Sequence, residues 1–257
     1  RINKCKCMKT LAVILHHNTV QHTETLYELL EPEQKSGDYH LMVLDNGSDQ
    51  GKESKYASMR LDQNVYFGGA LDVMSRFLCE EGEEYDSLLW LNNDIIVGKN
   101  FVKSLRKECL VNGWNVISPC IIQPEKTQNH WQQMLNWGTN QTREVRWIDL
   151  QTPMISKKLI KYLYDNRTTP ENVIDMSLLY GWGIDIYLGV ICESQGWKTG
   201  VCDYVPAIHL GSMTLKSLNN TNEYCQNAEK GQYEFFQKIN KMNEFIEMRQ
   251  WAENYEG

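Results

Sequence analysis

Residues 10–15, Thr-Leu-Ala-Val-Ile-Leu, form an uninterrupted run whose lack of polar alternation reads as a strand covered on both faces. Two similar runs follow, His40 to Leu44 and Ser87 to Asn92. An amphipathic stretch with Val20, Leu26, Leu29 and Leu30 precedes Pro32, and Ala70 to Cys79 reads as a second helix, with Asn64-Val65-Tyr66 as a short strand before it. Alternating strands and helices over the first hundred residues imply βαβ units, right-handed crossovers and a parallel sheet flanked by helices. Ligands of such sheets bind beyond the carboxyl ends of the strands. The clusters Asp45-Asn46-Gly47-Ser48-Asp49 and Asn92-Asn93-Asp94 stand at two such ends.

The second half is more mixed. Val116 to Ile122, Glu144 to Leu150 and Thr199 to Asp203 read as strands, and Ser156 to Asp165 as a helix. Leu178 to Cys192 holds a Gly-rich turn and then a helix carrying Asp185. From Asn222 to Asn254 the recurrence of Phe235, Ile239, Met242 and Ile246 predicts one amphipathic helix packed on the domain. Its mixed Lys and Glu do not suit a cationic lipid binder. Without internal repeats or a low-complexity linker, residues 10–220 read as one domain, split into halves 10–100 and 101–220. Residues 1–9 read as an N-terminal extension or expression remnant, and 221–257 as a C-terminal helical segment.

Charge and cysteines narrow the classes. Lys plus Arg number 26 against 33 Asp plus Glu, a net charge of −7, which disfavours a general nucleic-acid binder. No apolar stretch approaches the roughly 18 residues of a spanning helix, although peripheral membrane contact stays open. The eight cysteines are scattered, Cys5-Lys6-Cys7 being the only tight pair, and no CxxC occurs. Unbridged thiols in a reducing, cytoplasmic setting are the expectation, which makes the sequons at Asn46, Asn140, Asn166 and Asn219 chance matches.

Several segments could carry chemistry. Asn92-Asn93-Asp94 offers oxygen ligands that suit a hard divalent cation, Mg²⁺ or Mn²⁺. Asp45 could accept hydrogen bonds from a nucleobase or ribose. The same residue types also favour plain strand-to-turn junctions. Gly68-Gly69 lets backbone approach a ligand closely, but the pattern is not GxGxxG and does not follow the first strand. Asp185, opening a helix beside Tyr180-Gly181-Trp182-Gly183, suits either a helix cap or a general base. His209 competes as a ligand with His16, His17, His22, His40 and His130. Trp131, Trp137 and Trp147 could form a sugar platform, with core packing the alternative for at least one.

Taken in order, these segments resemble the glycosyltransferases of the GT-A (Rossmann-like) fold, close to family 2 and its rhamnosyltransferase-like members. The resemblance runs from about residue 10 to residue 215. It implies a mostly parallel sheet and an inverting transfer of sugar from a nucleoside-diphosphate sugar to a glycan or glycoconjugate hydroxyl. Under it, Asn18, Asp45, Asn64 and Gly68 hold the nucleotide with Asn92 and Asn93, and Asp94 and His209 hold Mn²⁺ or Mg²⁺. Asp185 becomes the base and Trp182 lines the acceptor side. Two departures stand out. Asn92 replaces the first Asp of the Asp-x-Asp metal motif, and Ile184-Asp185 replaces a Glu-Asp pair. A non-catalytic sugar- or nucleotide-binding domain of a glycan-assembly protein is the alternative. A sugar nucleotidyltransferase is less favoured, since His16-His17-Asn18-Thr19-Val20 has no Gly, Lys or Arg to grip a triphosphate.

Overall fold

The computed structural model describes residues 8–122, 131–211 and 220–256. Cys5, Cys7, His130, Asn219 and Ser212, with most of the expected N-terminal extension, lie outside those residues. The first apolar run becomes β1 (Lys9–His16), and Leu11, Ala12, Val13 and Ile14 have no exposed surface. α1 (Val20–Gln34) leads to β2 (Tyr39–Asp45), parallel to β1 from Thr10↔Tyr39 to His16↔Asp45. β3 (Ala57–Arg60) adds parallel to β2. α2 (Tyr66–Glu80) then returns the chain to β4 (Tyr85–Asn92) on the opposite side of β1, with Leu15 facing Asn92. The strand order therefore reverses at β1, which opens a crevice at the carboxyl ends of β1 and β4.

The chain continues through β5 (Ile95–Val97), α3 (Phe101–Val111), β6 (Trp114–Ile122), β7 (Thr142–Glu144), β8 (Met154–Ser156), α4 (Lys157–Asp165), α5 (Ile184–Ser194) and β9 (Lys198–His209). The described strands form one nine-stranded sheet in the order β3-β2-β1-β4-β8-β6-β9-β5, with β7 also on β9. The pairing is parallel through β4 and mixed beyond it. β8 enters antiparallel between β4 and β6, and β5 and β7 lie antiparallel to β9, which itself runs parallel to β6. The fold is thus mixed α/β, with helices flanking a central sheet.

Three sequence expectations change. Asn64-Val65-Tyr66 is not a strand, because side chains occupy its backbone. Val65 N donates to Asn46 Oδ1 at 3.0 Å, Tyr66 N donates to Asn64 Oδ1 at 2.8 Å, and Tyr66 opens α2. Of the expected strand at 144–150, only Glu144 joins a ladder, as the last residue of β7 (Thr142–Glu144). Trp147 and Ile148, each 1% exposed, are apolar because they fill the core, not because they join a ladder. The single C-terminal helix is two, α6 (Thr221–Lys238) and α7 (Met242–Glu253). Asn240 takes a left-handed φ of 54° between them, which resets the helical phase. Ile246 consequently turns outward at 43% exposure, and the hairpin closes on Phe236 stacked on Phe245, their centroids 4.5 Å apart. The six described cysteines, Cys79, Cys109, Cys120, Cys192, Cys202 and Cys225, are unbridged, and no described helix is long and apolar enough to cross a membrane.

Gly68 shows how tightly the helices meet the crevice. Its N–H donates to Leu179 O at 2.8 Å, and a Cβ there would lie 2.1 Å from Leu178 O. Gly68→Ala is expected to force α2 from the 178–180 loop at a cost of about 1–3 kcal/mol. Gly98, where an added methyl would meet nothing within 4 Å, is the control. Thermal melts should show a clear fall for Gly68→Ala and none for Gly98→Ala.

Candidate active site

The crevice deepens into a cavity of about 550 Å³. Its first wall is built by the ends of β1 and β2. Leu15, His17, Asn46 and Asn64 line it, and their polar atoms satisfy one another. His17 Nδ1–H donates to Asn46 O at 3.1 Å, which leaves Nε2 to accept from the Asn18 and Asn64 amides at 3.2 Å each. The Asn46 amide donates to Asn64 Oδ1 at 3.0 Å and to Tyr66 O at 3.2 Å. Burial lowers the His17 pKa below its ordinary value, against the opposing pull of the Asn46 carbonyl. A neutral ring is what this hydrogen-bond pattern requires. Tyr66 adopts φ 57°, a left-handed conformation that is costly for a bulky residue. Its ring sits 4.5 Å from Tyr180 and 5.9 Å from Tyr224 by centroid, and Tyr224 Oη donates to Tyr180 O at 2.6 Å.

The second wall is the end of β4. Asn92, Asn93 and Asp94 line the cavity with His209. Asn93 Nδ2 donates to Thr23 Oγ1 at 2.9 Å and to Thr19 Oγ1 at 2.5 Å, tying this turn to α1. The β5–β9 register pairs Ile95 with His209, and Leu210 N donates to Asp94 O at 2.8 Å. That ladder sets His209 Nε2 3.3 Å from Asp94 Oδ1, both side chains nearly buried. No group of three or more His, Cys, Asp and Glu that could hold a metal occurs among the described residues. Two donors on adjacent corners of an octahedron with bonds of about 2.1 Å stand about 3 Å apart, and Mg²⁺-like ions take most other ligands from water and phosphates. The Asp94–His209 pair fits that limited role.

The third wall comes from the second half and the C-terminal hairpin. Gly183, at φ 87°, turns the chain into α5 and places Asp185 in its first turn. A Cβ on Gly183 would lie 2.8 Å from Gln232 Cβ of α6, so the left-handed turn and the close helix contact both call for glycine there. Asp185 keeps part of its surface open to the cavity. Its desolvated setting, with the Asp149 carboxylate as a second cause, pushes its pKa up to about 7. Trp131 and Trp147 meet edge-to-face at 5.1 Å, and Trp147 Nε1 donates to Met248 O at 3.0 Å. The turn following Trp131 is braced by Arg143, which donates to Gln133 O and Leu135 O while paired with the buried Asp203 at 2.9 Å.

Of the sequence candidates, the structure brings Asn64, Asn92, Asn93 and Asp94 into this cavity together with Trp182, Asp185 and His209. It does not bring Asn18, Asp45 or Gly68 into the lining. Asp45 is fully buried, its Oδ1 accepting from Ser48 N at 2.9 Å and its Oδ2 lying 3.6 Å from Arg60 Nη1. It shapes the loop that presents Asn46. Asn18 ties the same loop, accepting from Asp49 N at 2.8 Å. Gly68 is consumed by helix packing. Trp137 leaves the expected platform for an edge contact with Tyr255, centroids 5.6 Å apart. Among the rival histidines, His16 is locked to Thr23 Oγ1 at 2.7 Å and Lys52 O at 2.9 Å, and His40 pairs with Tyr85 Oη at 2.7 Å. Sequence reasoning does not single out Asp149, Tyr224, Glu229, Gln232 and Arg249, which also line the cavity. The last four sit on helices whose apolar stripe is the only periodic signal.

The raised Asp185 pKa has a sign for stability. A native acid that holds its proton to higher pH than the unfolded chain loses stability as pH rises from about 4 to about 7. Asp185→Asn should therefore raise the melting temperature relative to wild type at pH 8 and leave it near wild type at pH 4, as read by paired melts.

No protein-family model and no curated protein sequence matches the chain. Solved structures do. GalNAc-T7, crystallised with UDP, GalNAc and Mn²⁺, superposes with a TM-score of 0.60 at 12% identity, over 79% of this chain and 44% of that one. A197 from STIV superposes with a TM-score of 0.48 at 14% identity, over 79% of this chain and 86% of that one. The chain thus spans less than half the length of the GalNAc-T7 chain, and over most of its own length it has the GT-A-like α/β fold of that glycosyltransferase.

Proposed function

We propose that the protein is a nucleotide-sugar-dependent glycosyltransferase, metal-assisted and inverting, as the resemblance to family 2 and its rhamnosyltransferase-like members implies. The observation that carries this reading is that the Asp94–His209 pair and Asp185, from three separate elements, open onto one cavity at the switch point of the sheet. The likeness to a glycosyltransferase fold crystallised with UDP and Mn²⁺ supports it.

In this reading the donor's base and ribose lie against the first wall. The cluster of His17, Asn46 and Asn64 holds its amides in place there without needing water. Asn92 and Asn93 flank the diphosphate. Asp94 and His209 would hold the cation, which would supply Lewis-acid charge against the departing diphosphate. The acceptor enters beside Trp182, Trp131 and Trp147. Asp185 takes the proton of its hydroxyl as the oxygen bonds to the anomeric carbon and the carbon–phosphate-oxygen bond breaks. A carboxyl poised near 7 suits a base that must accept a proton in the reaction and release it to solvent afterwards.

The departures from the motif, Asn92 and Ile184, favour a second reading, a domain that binds the nucleotide sugar without turning it over. Calorimetric titration of UDP, TDP and GDP with and without Mn²⁺ separates these readings from a fold without nucleotide binding. One nucleoside diphosphate should bind, more tightly with the metal, and Asp94→Ala should remove the metal-dependent gain. Asp185→Asn should retain that binding and lower transfer by about 10²–10⁴-fold. Binding with no hydrolysis or transfer by wild type supports the silent domain, and no binding by any of the three overturns both readings.

A further inference from the structure

Arg249 is the only Lys or Arg among the described residues that line the cavity. It stands on α7, half-buried, with its guanidinium 5.8 Å from the Phe245 ring centroid. It has no carboxylate within 4 Å among the described residues, although Asp94, Asp149, Asp185 and Glu229 line the same cavity.

The other described arginines are all satisfied. Arg60, Arg76, Arg106, Arg143 and Arg146 each pair with Asp or Glu. Arg167 donates to the carbonyls of Tyr164 and Pro170. The fold completes its guanidinium groups wherever they serve structure and leaves incomplete the one that faces the cavity. A half-buried guanidinium that rests on a ring face but has no anion to take its hydrogen bonds leaves those donors costly to desolvate, and its shape suits two-point contact with carboxylate or phosphate.

Its place in the fold says which substrate it meets. α7 packs on α5, the helix opened by Asp185, and on the turn at residues 132–134 next to Trp131. Met248, beside Arg249, accepts the hydrogen bond of Trp147 Nε1. Asp94 and His209 instead stand at the sheet end of the cavity, on the β4–β5 turn and β9. The C-terminal hairpin, which the sequence pattern presents as packing alone, therefore contributes a charged wall on the side of the base and the tryptophans.

We propose that Arg249 recognises an anionic group, a carboxylate or a phosphate, on the acceptor, so that the acceptor class is an acidic sugar and not a neutral one. This rests on the transferase reading only for the word acceptor; the anion site itself can be tested separately. The test measures binding of glucuronate, glucose 6-phosphate and glucose to the full chain by ligand-observed NMR and calorimetry, with UDP plus Mn²⁺ in parallel. The proteins are wild type, Arg249→Gln and Arg249→Lys, each checked by thermal melting.

The expected result is that wild type prefers one anionic sugar to glucose. Arg249→Gln should weaken that sugar by about 10- to 100-fold, the range of a hydrogen bond to a charged group, and Arg249→Lys by less. Glucose and UDP affinities should stay within about twofold of wild type. The preferred anion distinguishes a uronate-type acceptor from a phosphorylated one. Equal binding of all three sugars, binding of none, a preference that survives Arg249→Gln, or a matching loss of UDP affinity each overturns the proposal. If none of UDP, TDP and GDP binds wild type with Mn²⁺ while the anion preference is present and lost in Arg249→Gln, the transferase reading falls and the anion site stands.

Discussion

The antiparallel pairing of β5 with β9 is the contact on which the cavity depends. β5 is only Ile95–Val97, the three residues after the Asn92-Asn93-Asp94 turn, and it pairs with the last residues of β9. Because Ile95 faces His209 and Leu210 N reaches back to Asp94 O, a carboxylate from the first half and an imidazole from the second are forced side by side. Asp94 alone is a polar residue at a strand end; the register sets its carboxylate 3.3 Å from the His209 imidazole on the wall of the cavity. β9 also pairs with β6 and β7, so the same strand ties the parallel half of the sheet to the mixed half.

A second constraint is the need to satisfy polar groups where loops are buried. Buried loop backbone and amides must find partners, and around β1 and β2 they find each other. His17, Asn46 and Asn64 each make two or more of these bonds, while Asn18 and Ser48 hold the Asp45–Asp49 loop. The result is a stiff polar wall whose free edges face the cavity. The tyrosines Tyr66, Tyr180 and Tyr224 connect that wall to the C-terminal hairpin by ring contacts. The hairpin is thereby part of the site and not an appendage to it.

The hydrophobic pattern made the first half of the fold legible. β1, β2 and β4 are apolar over their central residues, Leu11–Leu15, Leu41–Leu44 and Leu88–Leu91, because both faces are covered there, and such runs survive any later choice of topology. Short strands were not legible, since β5, β7 and β8 have three residues each, too few for a period to show. The segment around Trp147 misled for a related reason: burial makes residues apolar whether or not their backbone joins a ladder. The break at Asn240 was hidden because two helices of a hairpin can share one apparent stripe across a left-handed residue.

For the site, the sequence alone determined which strand ends would be polar, that Asp94 and Asp185 are carboxylates at element ends, and that Trp182 and Gly183 flank the latter. Those are local properties, written in contiguous residues. Only the tertiary structure decided that Asp45 turns inward to shape its loop while Asn46 takes the wall, and that His209, which only the family resemblance places with Asp94, stands 3.3 Å from it while His16 and His40 are used up elsewhere. The structure likewise brought Asp149 near Asp185 and set Arg249, which has no ion pair among the described residues, into the same cavity. These are matters of register and packing between segments far apart in the chain, and no local pattern of residue types records which of them meet.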